Sequence, residues 1–129
     1  MIIVDENIPE DKRQLLRRWR LRFRQLGLEV GRPGMRDEEI IPFLHQIEMS
    51  TFFTRDLGFY LPHLRHARYG LVCLAVSQYD AANFIRRFLR HPEFKTQAMR
   101  LGKVIQVTPS GITFWRLHSD REEKVEWRG

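Results

Sequence analysis

Two stretches of this sequence follow the same pattern, and together they restrict the folds open to the rest of the chain. At the start, Met1, Ile2, Ile3 and Val4 form an apolar run that breaks directly into two adjacent carboxylates, Asp5 and Glu6. Further along, Thr51, Phe52, Phe53 and Thr54 form a second such run, which ends at Arg55 and Asp56. Short apolar runs bounded in this way predict buried strands. Two such strands side by side would gather Asp5, Glu6 and Asp56 at one edge of a sheet. In open α/β sheets that edge, outside the carboxyl ends of the strands, is where ligands and chemistry sit.

The elements between and after these strands fit a sheet wrapped by helices. Residues 11–26 predict one long amphipathic helix ending at Gly27, with Leu16, Trp19, Phe23 and Leu26 as its core-facing stripe. One position onward, Arg13, Arg17, Arg20 and Arg24 would form a second column on that helix, either a solvated face or a ridge that contacts phosphates. A short strand is expected at residues 28–30, then a helix opened by Asp37 as N-cap and carrying Ile40, Ile41, Leu44 and Ile47 inward. Pro42 would kink that helix or delay its start. Residues 57–68 read as loop with at most a turn or two of helix, and residues 71–76 as a fourth strand. Ser77 and Asp80 then suggest a capping box for a helix bearing Ala81, Phe84, Ile85 and Phe88. Residues 92–101 suggest a further short helix. Val104 to Val107 and Ile112 to Trp115 alternate about a turn at Pro109 and Ser110, which predicts a hairpin. The charged tail, residues 118–129, is expected to fray. The pattern as a whole predicts one α/β domain, residues 1–129, with a mainly parallel sheet and a C-terminal hairpin.

Bulk properties narrow the partners. The 129 residues carry 22 Lys plus Arg against 16 Asp plus Glu, a formal charge of +6, which favours polyanions such as nucleic acid. Arginine supplies nearly all of the surplus, and its planar fork suits phosphate. Cys73 stands alone in a strand-like run, so no disulfide can form within the chain, and a buried thiol in a reducing compartment is expected. No stretch is long and apolar enough to span a membrane. These features predict a cytoplasmic protein.

Carboxylates crowded at one sheet edge need protons or a cation, because like charges in a partly dry site cannot all remain ionised. Oxygen ligands on rigid strand ends suit Mg²⁺ or Mn²⁺, which can activate water for attack on a phosphodiester. Asp5, Glu6, Asp37, Glu38 and Asp56 are the candidate ligands, and Arg55 joins the helical arginines as a candidate nucleic-acid contact. His63 and His66 form a weaker metal candidate. Asp80 is better explained as a cap.

The segments Val4-Asp5-Glu6-Asn7-Ile8-Pro9, Arg36-Asp37-Glu38-Glu39-Ile40 and Thr54-Arg55-Asp56 with Phe59 resemble, in that order and spacing, the PIN-like domains of bacterial toxin–antitoxin settings. The resemblance covers roughly the first two-thirds of the chain. It implies a three-layer α/β/α fold and Mg²⁺- or Mn²⁺-dependent cleavage of RNA. It also implies roles for Asp5 as the first-strand acid, Asp37 or Glu38 as the helix-borne acid, and Asp56 as the acid after the third strand. Relatives commonly carry a second acid two residues beyond Asp56, where this chain has Gly58.

Three readings follow. The first is a metal-dependent ribonuclease using Asp5, Asp37 and Asp56. The second is a catalytically silent module that binds RNA or an antitoxin-like protein. The third is a phosphoacceptor receiver, with Asp56 as acceptor and Lys103 nearby. Apolar surface on the first helix could also serve a homodimer.

Overall fold

The computed structural model describes residues 1–127. Strand β1 (Ile2–Val4) is the opening apolar run, with Ile3 and Val4 fully buried. Pro9 pre-sets its φ at −56° and leads into helix α1 (Glu10–Arg18).

Helix α1 stops eight residues before its expected end. The Arg20 amide donates to the Arg17 carbonyl at 2.9 Å and the Leu21 amide to the Leu16 carbonyl at 3.1 Å, while Arg20 adopts φ 62°. That pairing is a Schellman cap with arginine in the left-handed position usually taken by glycine. The chain beyond it is extended enough to form β2 (Arg24–Gln25), so Arg13, Arg17, Arg20 and Arg24 do not form one helical column. The strand expected at residues 28–30 is replaced by a tight turn closed by a bridge between Leu26 and Val30.

Helix α2 (Asp37–Gln46) passes through Pro42 and starts before it. Its N-cap is Arg36, not Asp37, because the Glu39 carboxylate accepts from the Arg36 amide at 3.1 Å and satisfies that end. Strand β3 (Ser50–Thr54) is buried throughout. Two single 3₁₀ turns follow, then β4 (Tyr69–Leu74), which begins two residues earlier than its apolar pattern suggested. Helix α3 (Ala81–Arg90) buries Ala81, Phe84, Ile85 and Phe88. Asp80 makes no side-chain cap to it; Ser77 accepts from the Tyr79 amide and closes the preceding 3₁₀ turn instead. The short α4 (Gln97–Arg100) places Arg100 inside, donating to Thr51 Oγ1 at 2.9 Å and to the Phe94 carbonyl at 2.8 Å.

Strands β5 (Val104–Thr108), β6 (Gly111–Trp115) and β7 (Glu123–Val125) complete a seven-stranded sheet in the order β2-β1-β3-β4-β5-β6-β7. The first five strands in that order run parallel, while β6 pairs antiparallel with β5 and β7 antiparallel with β6. The charged tail is therefore built in as far as Trp127, whose indole donates to the Thr108 carbonyl at 2.8 Å. Arg128 and Gly129 of that expected frayed tail lie outside the described residues.

Strand periodicity sorts the core into two halves. Val4, Phe53, Val72, Leu74, Ile105 and Val107 pack with Leu16 of α1 and with α3. Ile3, Phe52, Leu71, Cys73 and Val104 pack with Ile40 and Leu44 of α2. Each such side chain taken fully from water contributes about 1.5–3 kcal/mol before chain entropy is counted. Because Leu16 faces inward, α1 spends its apolar face on the core instead of keeping it free for a second copy. No helix among the described residues is long and apolar enough to cross a membrane.

Candidate functional site

From β1 the chain leaves toward β2 on one side; from β3 it leaves toward β4 on the other. The crevice between the carboxyl ends of β1 and β3 is thus the topological switch point, the position where open α/β sheets bind ligands. Asp5 follows β1 directly, and Asp56 follows β3 by two residues. Helix α2 descends from the same edge, so Asp37, its first residue, starts beside both.

The site is rigid around Asp5, which is 8% exposed. Its Oδ2 accepts from the Thr54 hydroxyl at 2.7 Å and its Oδ1 from the Glu6 amide at 2.7 Å. Burial raises its pKa, against the opposing effect of those two bonds, and the charges of Glu6 and Asp56 add to the rise. The Thr54 hydroxyl also accepts from the Asp56 amide at 3.0 Å and from Asn7 Nδ2 at 3.1 Å. Asn7 Oδ1 in turn accepts from the Arg55 amide at 3.0 Å. One hydroxyl and one amide side chain therefore lock the ends of two strands together.

Asp56 Oδ1 accepts from the Gly58 amide at 2.8 Å, and a Cβ on Gly58 would stand 3.0 Å from that oxygen. Asp37 and Asp56 lie close enough to share a proton. That hydrogen bond is the main cause that pushes the Asp37 pKa up to about 6, followed by burial and by the charges of Asp56, Asp5 and Glu38. Asp5, Asp37 and Asp56 are thus within electrostatic reach of one another. Among the described residues, however, no three His, Cys, Asp or Glu side chains are already gathered as a ligand set.

The other expected ligands are engaged elsewhere. Glu6 Oε1 accepts from the Gly34 amide at 3.1 Å, and its carboxylate fills the space beside Gly27, whose φ is 88°. It staples the loop before α2. Glu38 is exposed and pairs with Arg36 at 3.4 Å.

The arginines divide. Arg55 flanks Asp56, and its buried Nε has no hydrogen-bond partner among the described residues. Arg13 Nη1 donates to the Ile8 carbonyl at 2.7 Å, which braces the start of α1. Arg17 and Arg24 line a groove beside Met1 and Ile2, at the amino end of the sheet, whereas the aspartates stand at its carboxyl end.

Two further expectations fall. Lys103 immediately precedes β5, so it sits at the opposite edge from Asp56; its Nζ donates to the Met99 carbonyl at 2.6 Å. It cannot serve a phosphoacceptor there. His66 stacks on Tyr69 and meets His45 edge-on, with its Nδ1 accepting from the Arg68 amide, and no group of three possible ligands gathers around it among the described residues. Cys73 is buried, and burial pushes its thiol up to about 12, with the charge of Asp56 adding to the rise.

Sequence reasoning missed Thr54 and Asn7. The available signal was their position, two residues before Asp56 and two after Asp5, where small polar side chains can bridge neighbouring strand ends.

No family model matches the chain, and neither the curated proteins nor the solved structures hold a match to it.

Proposed function

We propose that the protein is a PIN-like ribonuclease of the toxin type, with Asp5, Asp37 and Asp56 holding a catalytic Mg²⁺ or Mn²⁺. The observation that carries this reading is the meeting of Asp37 with Asp56, beside Asp5, at the switch point of the sheet. Three carboxyls at one edge, with the charge of Asp56 raising the pKa of both Asp5 and Asp37, are a donor set of hard oxygens, and they suit a divalent cation in place of the shared proton. When bound, such a cation supplies an activated water and offsets charge developing on the phosphorus oxygens.

The chain's own residues set the stage for that chemistry. Thr54 and the Glu6 amide hold both oxygens of Asp5 in place. The Gly58 amide orients Asp56, and Asp37 gives up its proton as the pH rises through about 6. Arg55 supplies positive charge where the RNA backbone must arrive. The three-layer α/β/α arrangement with a closing hairpin, and residence in a reducing cytoplasm, belong to the same reading.

A second reading is a silent module that binds RNA or an antitoxin-like protein. It is favoured by Gly58 in the place of a second acid and by the absence of a preassembled ligand set among the described residues. Incubation of single-stranded RNA with Mg²⁺ or Mn²⁺ separates the two. The ribonuclease reading expects cleavage that is lost in Asp5→Asn. Intact RNA, together with no anomalous density beside Asp5 and Asp56 in Mn²⁺-soaked crystals, overturns it.

A further inference from the structure

At the amino end of the sheet, a groove of about 420 Å³ runs between the end of α1, the start of β1 and β2, and is lined by Arg17, Arg22, Phe23, Arg24 and Glu29 among others. A smaller hollow of about 180 Å³ continues it, shares Leu21 and is flanked by Arg86 and Arg90 of α3. Within the groove, Arg17 is spoken for. It pairs with Glu29 at 3.5 Å and lies over the Phe23 ring at 4.7 Å. Arg86 covers Trp19 at 3.6 Å. By contrast, Arg22, Arg24 and Arg90 have no carboxylate within salt-bridge distance among the described residues.

Concave surface concentrates the field of these unpaired cations, and the guanidinium fork matches phosphate oxygens in pairs. Arg22 and Arg24 are exposed on either side of half-buried Phe23, so they share one side of the chain. Extended backbone sets such residues roughly 7 Å apart, a spacing suited to successive phosphates of an extended strand. This regular arginine pair favours a polyphosphate backbone over an acidic protein surface, whose carboxylates have no fixed repeat.

We propose that this groove is a second docking site for the phosphate backbone of single-stranded RNA, remote from the aspartates. Ile2 on its wall and Asp5 at the acidic edge are separated by three strand steps, roughly 10 Å. A long strand therefore engages both ends of the sheet, and a short one engages a single end. The choice of RNA as ligand rests on the ribonuclease reading; the groove's selectivity for phosphate does not.

The test is fluorescence anisotropy of the full chain with a long and a short single-stranded RNA of mixed sequence, in EDTA, across a salt series. The intact protein is expected to bind the long strand more tightly. Arg22→Gln with Arg24→Gln should weaken long-strand binding about tenfold and flatten the slope of log K against log salt by about 1.4, from two lost contacts. Both side chains are exposed, so the melting temperature of the double variant should match that of the parent and exclude misfolding. An unchanged slope, no length preference in the parent, or competition by poly-glutamate equal to that by RNA overturns the groove. Groove-dependent binding without Mn²⁺-dependent cleavage sinks the ribonuclease reading and leaves the groove standing; cleavage with an unchanged slope does the reverse.

Discussion

The two ends of this sheet are built on opposite principles. At the carboxyl edge, acids are forced together and held by short bonds: Asp5 by the buried Thr54 hydroxyl, Asp56 by the exposed Gly58 amide. At the amino edge, arginines line an open groove, and two of them, Arg22 and Arg24, have no carboxylate within salt-bridge distance among the described residues. The first end is preorganised, so its geometry is costly to disturb. The second is electrostatic and adaptable, so its contribution is additive and sensitive to salt. A protein that needs both precise placement of one phosphodiester and loose tracking of a backbone gains from separating the two tasks.

The largest effect should come from the acidic end. Asp56→Asn removes one anionic group from the trio, and the metal-dependent RNA cleavage that the ribonuclease reading proposes should fall by roughly 10²–10³-fold, on the scale of one well-placed electrostatic group. Retained turnover in gel assays would break the contrast between the two ends.

Next is Thr54→Val, which deletes the hydroxyl that Asp5, Asn7 and the Asp56 amide all use. Cleavage should fall about 10–100-fold, the scale of losing a group that orients ligands. Denaturant unfolding should show a loss of about 1–3 kcal/mol from the unpaired Asp5 oxygen. A loss of stability with full activity would mean that Asp5 positioning is irrelevant to function.

A pH series sharpens the contrast further. The folded-state pKa of Asp37, about 6, lies above its ordinary value of 3.8. Its protonated contact with Asp56 therefore stabilises the fold fully below about 3.8, and that contribution is lost as the pH rises through about 6. In EDTA, the melting temperature of the parent should drop across this window relative to Asp37→Asn, as read by calorimetry. Mn²⁺ should restore it at pH 8 and do little at pH 5.

The smallest effect belongs to the basic end. Arg20→Gly relieves the left-handed residue that caps α1 and should stabilise the fold by about 0.5–1 kcal/mol, with no change at the aspartates. A loss of stability on denaturant unfolding would show that the Arg20 side chain itself holds the cap.

What could be read from the sequence follows the same division. The acidic edge was legible because an apolar run that breaks into an acid is a local signal, and parallel pairing of β1 with β3 turns two local signals into one site. The arginine end was misread because Leu16, Trp19, Phe23 and Leu26 keep helical spacing through a point where the helix has already stopped. No glycine or asparagine marks the break at Arg20. β7 was hidden for a related reason: Glu123, Lys124 and Val125 are too short and too charged to declare a strand, and only pairing with β6 makes them one. Asp37 was expected as a cap, but Glu39 does that work, and the consequence is a carboxyl free to meet Asp56.

The outer margin of β2 closes the sheet in a way that bears on the protein's behaviour in a crowded cell. That strand is only two residues long, and the Glu29 side chain folds back to accept from the outward Gln25 amide at 3.2 Å. A stranger's backbone approaching this border finds its first docking point already taken, so strand addition at β2 is disfavoured.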